Sequence, residues 1–125
     1  MKFSALLSLV VVLLIACHKE DTSPSCGCEA KPYRELVNEK VAYLGGGYFI
    51  GPHGNSRTFF RLCDTTLIDP AWKADTAVMG ATGQIDTTKF VFRITGQLKA
   101  ECSPPGATSF FPEVSVFTAL RIVRE

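Results

Sequence analysis

Histidine, charge of one sign and catalytic signatures are all scarce in this 125-residue chain. There are two histidines, His18 and His53. His18 follows Cys17 directly, where it has little fold to organise, and His53 lies in the turn-forming cluster Gly51-Pro52-His53-Gly54-Asn55-Ser56. No Gly-x-Ser-x-Gly elbow and no His-Glu-x-x-His pair is present. Gly45-Gly46-Gly47 is not followed by Gly-Lys-Ser/Thr, so it is no phosphate loop. A cysteine nucleophile needs a nearby base and a reduced thiol. The acid pairs Glu35/Glu39 and Asp64/Asp69 read as solvated surface carboxylates. These scarcities point away from an enzyme and from any cofactor. Lys and Arg total 13 against 12 Asp and Glu. Without Lys2 the balance is 12 against 12, and no long run of one sign occurs. The electrostatic footprint of a nucleic-acid binder is therefore missing.

What the chain does have begins at its start. Lys2 supplies a positive charge, and residues 3–16 are an uncharged apolar run rich in Leu and Val. That is the layout of a secretory signal peptide, too short for a comfortable span of ~20 residues. The run ends in Leu14-Ile15-Ala16-Cys17. An aliphatic residue, a second aliphatic, a small residue and then Cys resembles the lipobox of bacterial lipoproteins. The resemblance implies cleavage before Cys17 and thioether attachment of a diacylglycerol to its sulfur. Several acyl chains on one residue give a stable anchor, each buried CH2 contributing about 0.8 kcal/mol. Lys19-Glu20-Asp21 then resembles the Lys-acid-acid export signal of Bacteroidota surface lipoproteins. Together the two resemblances imply an outer-membrane, cell-surface location, with the periplasmic face as the alternative. The expected organisation is a signal peptide over 1–16, a polar tether over 17–35 and one domain over 36–125.

With Cys17 taken by lipid, Cys26, Cys28, Cys63 and Cys102 remain. An even number in an exported chain reads as disulfides. Four cysteines allow three pairings, which sequence alone does not choose between. Cys26–Cys28 would close a strained small ring. Ties from both to Cys63 and Cys102 would pin the tether to the domain. A four-thiolate zinc site is the rival, but Cys-Gly-Cys lacks the usual two-residue gap and the compartment is oxidising.

The domain reads as short strands punctuated by glycine. Residues 41–50 look like one strand bent or bulged at the triple glycine, with a helical turn before it over 33–40. Residues 58–63 form a second strand. Asp69-Pro70 resembles a helix start, with Asp69 as N-cap and Pro70 at N1. Residues 77–85 form a third strand, with Gly80 and Gly83 permitting sharp bends. The clearest alternation sets Phe90, Phe92, Ile94 and Leu98 against Lys89, Arg93, Thr95, Gln97 and Lys99. A fifth strand turns Val114, Val116, Leu120 and Ile122 inward.

Five strands in this length predict an all-β fold, a small five-stranded OB-like barrel, with a small β-sandwich as the alternative. Leu62-Cys63 with Leu67, Ile94-Thr95-Gly96 and the terminal 116–122 strand resemble small OB-like lipoproteins of the Bacteroidota. That resemblance implies a non-catalytic binding module for a glycan, peptide or protein, or else an accessory subunit of an envelope complex. OB-type barrels bind through their strand-two and strand-three face and the loops joining strands one-two and four-five. On this strand count those loops are 51–56 and 102–112, which nominates His53, Asn55, Phe110 and Phe111. Four of five Asp residues precede Thr. Asp64-Thr65-Thr66, Asp75-Thr76-Ala77 and Asp86-Thr87-Thr88 match the Asp-Ser/Thr-aliphatic-or-Thr sequon of Bacteroidota O-glycosylation, making Thr65, Thr76 and Thr87 candidate glycan sites. The same spacing also suits Asp side chains that cap turns.

Overall fold

The structure, a computed structural model, describes residues 23–53, 56–103 and 114–125, with backbone only at 52, 53, 56 and 57. Five strands are present: β1 (Arg34–Gly45), β2 (Tyr48–His53), β3 (Ser56–Leu62), β4 (Phe92–Ala100) and β5 (Val114–Arg124). They close into a barrel in the order β1-β2-β3-β5-β4, with β4 returning to pair with β1. The β3–β5 pairing is parallel and the others are antiparallel. This is the five-stranded OB-like barrel.

The route to five strands differs from the sequence reading at several places. Residues 41–50 are a hairpin rather than one bent strand. Gly45 pairs with Tyr48 across Gly46 and Gly47, whose φ angles are +58° and +86°. A type I′ hairpin turn needs positive φ at both central residues, and glycine adopts it without steric cost. Residues 33–40 form no helical turn, because β1 already starts at Arg34 and pairs there with Leu98. The expected strand over 77–85 is absent; Met79 and Ile85 share a single bridge. Asp69 caps a turn rather than a helix, its Oδ1 accepting from the Ala71 N–H at 2.8 Å.

The barrel interior holds Leu36, Val41, Tyr43, Phe49, Phe60, Leu62, Phe92, Ile94, Leu98 and Phe117. In β5 the expected parity is reversed at first: Phe117 is fully buried and Leu120 is exposed. A bulge at Leu120 on β5, between Ala119 opposite Gly96 and Arg121 opposite Thr95, restores Ile122 to the interior side. One extra residue in a ladder flips every later side chain to the other face. Gln97 pairs with Thr118. They sit next to the interior pair Leu98 and Phe117, so Thr118 faces outward, and its buried hydroxyl has no hydrogen-bond partner among the described residues.

A second core lies on the outside of the barrel. Ala42, Ile50 and Phe59 are cross-strand neighbours on β1, β2 and β3. Each sits next to an interior residue, so all three point outward. Val78, Ile85 and Phe90 from the β3–β4 connection pack on them, together with Leu44. The connection is tied back by the Asp75 N–H donating to Tyr43 O at 2.9 Å. Strands apolar on both sides need cover on both sides, and here the connection supplies the outer cover.

Candidate functional site

Two disulfides fasten the chain before β1 to the barrel, Cys26 to Cys102 and Cys28 to Cys63. Backbone and side-chain bonds reinforce them: Gly27 N–H donates to Ala100 O at 2.7 Å and Lys99 Nζ to Cys28 O at 2.5 Å. The stretch from Cys26 to β1 is thus part of the folded body. Cys17 lies outside the described residues.

The nominated binding loops map differently onto the fold. Residues 51–56 run from β2 into β3, while the β1–β2 loop is the tight Gly46-Gly47 turn. Residues 102–112 do fall between β4 and β5. His53 ends β2, with its backbone alone described; Asn55, Phe110 and Phe111 lie outside the described residues. On the outer side of the β2–β3 face, Ile50 and Phe59 are covered by Val78, Ile85 and Phe90. A ligand at that position would have to displace the protein's own core, while Tyr48, on the same outer side and paired with Arg61, is 40% exposed.

Each Asp-Thr repeat forms one turn of 3-10 helix, at Thr65–Leu67, Thr76–Val78 and Thr87–Lys89. The preceding Asp is the N-cap in all three, accepting from the N–H two residues on at 3.0 Å. Thr66 and Thr88 also donate their hydroxyls to Asp64 and Asp86 at 2.5 Å. Those hydroxyl bonds, then the backbone N–H bonds, hold both carboxyls below their ordinary range. The turns leave Thr65, Thr76 and Thr87 exposed. Turn capping and an accessible hydroxyl are compatible, so all three remain open to modification.

A cleft of about 430 Å³ opens where 73–75, 88–91 and the end of β5 meet. Buried Tyr43 and Phe92 form its inner wall, with half-exposed Val91 beside them. Trp72 sets that wall. Its ring meets Phe92 edge-on at 4.9 Å and Tyr43 at 6.0 Å. The rim carries Lys73, Lys89 and Arg124 against one carboxylate, Asp75. Lys89 reaches Asp75 at 3.8 Å. Among the described residues Lys73 and Arg124 have no ion-pair partner. The Tyr43 hydroxyl, unlike that of Thr118, is not among the buried polar atoms left without a partner, so it keeps contact with solvent. Sequence reasoning missed this site because its residues come from β1, two turns of the connection and the last residues of β5. No local pattern joins them.

Among the described residues no three His, Cys, Asp or Glu side chains are grouped to hold a metal ion. Comparison with family models, curated proteins and solved structures gives no match.

Proposed function

We propose that the chain is a lipid-anchored envelope protein, displayed at the outer membrane on the cell surface. Its barrel is a non-catalytic binding module for a glycan, peptide or protein. The observation that carries this reading is the placement of the disulfides directly after the lipobox. Only residues 18–25 separate Cys17 from Cys26. Even fully extended, that link reaches about 30 Å. Cys26 and Cys28 are covalently joined to β-barrel neighbours at Cys102 and Cys63. A lipid at Cys17 would hold the domain close above the bilayer, in a compartment where disulfides persist. The cleft beside the barrel supports binding: it is concave, aromatic at its wall and polar at its rim, as small-ligand sites are.

Glycan-array and peptide-array binding by the full mature chain, run beside crosslinking in intact cells, tests the module reading. Saturable binding to a defined ligand set supports it. A stable envelope-protein complex with no array binding would replace it with the accessory-subunit reading.

A further inference from the structure

We propose that the cleft between the 73–75 segment, the 88–91 segment and the end of β5 binds a small organic anion, a carboxylate carried on a body of one or two rings, such as an acidic sugar. This deepens the binding-module reading and rests on it. Charge decides the sign of the ligand. The Lys89–Asp75 pair at 3.8 Å satisfies the one rim carboxylate, which leaves Lys73 and Arg124 as cations without an ion-pair partner among the described residues. Arginine offers a planar fork that matches a carboxylate in two parallel hydrogen bonds, and lysine adds a point charge.

Tyr43 adds a polar group to the inner wall. Its side chain is only 6% exposed and lines the cleft, and its hydroxyl is not among the buried polar atoms left without a partner, so it keeps contact with solvent. A ligand hydroxyl or carboxylate oxygen in the cleft can take the place of that solvent. Val91 gives an apolar patch, 38% exposed, against which the C–H face of a ring can rest. The volume of about 430 Å³ lies in the range of sites for compact ligands. Rim charges are screened by salt, so binding weakens as ionic strength rises.

The test is calorimetric titration of the full mature chain with glucuronate, neutral glucose and inorganic phosphate. It is repeated on Lys73→Ala/Arg124→Ala and on Tyr43→Phe. The expected result is glucuronate binding that falls roughly tenfold or more in the double variant, as lost charge-assisted bonds require, and several-fold in Tyr43→Phe. Glucose binds much more weakly, and the melting temperature of the double variant is unchanged. Glucuronate binding unaffected by either variant would place the site elsewhere while the module reading stands. Phosphate bound through Lys73 and Arg124 with no glucuronate binding would overturn the ring-carboxylate class. Absence of binding by all three probes, with array binding retained, would overturn this inference alone.

Discussion

The ring of Phe117 lies directly over the Cα of Gly96. A Cβ built on Gly96 would stand 2.6 Å from Phe117 Cε2 and closer still to the carbonyl oxygen of Thr118. This contact seats the largest β5 side chain inside the barrel, next to the bulge that changes the strand's parity. Gly96→Ala forces either the ring or the β5 backbone to move. Overpacking of this kind typically costs about 1–3 kcal/mol, and a clash with backbone belongs at the upper end. We expect a drop of roughly ten degrees in melting temperature for a domain of this size. Ala100→Gly, at the exposed end of β4, serves as a control and should shift it far less. An unchanged melting temperature for Gly96→Ala would mean Phe117 does not pack there.

The disulfides should be present in protein taken from the envelope, and each should matter to stability. The Cys28–Cys63 link spans 35 residues and the Cys26–Cys102 link 76. In the chain-entropy model such loops stabilise by roughly 3–5 kcal/mol each. Thiol counting under denaturation should find no free thiol, the sulfur of Cys17 being held as a thioether on the proposed reading. Peptide mapping should recover the 26–102 and 28–63 pairs. A 26–63 pair with a 28–102 pair would contradict the fold around Gly27, whose N–H reaches Ala100.

Acid should destabilise the domain through its capped turns. Asp64 and Asp86 have carboxyl pKa values lowered mainly by the Thr66 and Thr88 hydroxyl bonds, and Glu125 has one lowered by Arg93. A carboxyl with a depressed folded pKa stabilises fully above its unfolded value of about 4. That contribution is lost as pH falls through the lower folded value. Denaturant melts should therefore show stability declining below about pH 4. Asp64→Ala with Asp86→Ala should flatten that decline. An equally steep acid limb in the double variant would assign it to other groups.

The sequence made some of this fold legible and hid the rest for physical reasons. The strand containing Phe92, Ile94 and Leu98 was plain because only one side of it is apolar. The hairpin at Gly46-Gly47 was hidden because apolar residues continue on both sides of the glycines, as they would in one bent strand. The 77–85 segment looked like a strand because Val78 and Ile85 are apolar. Val78 is buried and Ile85 half-buried against the outer side of β1, β2 and β3, with a single bridge at Met79 and Ile85 in place of a ladder. A signal for that cover was present: Val41-Ala42-Tyr43-Leu44, Phe49-Ile50 and Phe59-Phe60 are apolar at consecutive positions, which a strand with a wet face would not be. Asp69-Pro70 misled because Asp caps a turn and a helix by the same bond. The cleft was illegible, since Tyr43, Lys73, Lys89 and Arg124 meet only through the barrel's closure.

Lipid anchoring is tested at the lipobox cysteine itself. Wild-type protein and Cys17→Ser are expressed in cells fed an alkyne fatty acid, fractionated, and weighed intact. Anchoring through Cys17 requires label, membrane association and a mass consistent with cleavage before Cys17 plus acyl chains for the wild type. It also requires loss of the label and of that lipidated species in Cys17→Ser. An unlabelled wild type, or a Cys17→Ser protein that stays in the membrane at the same mass, would contradict it.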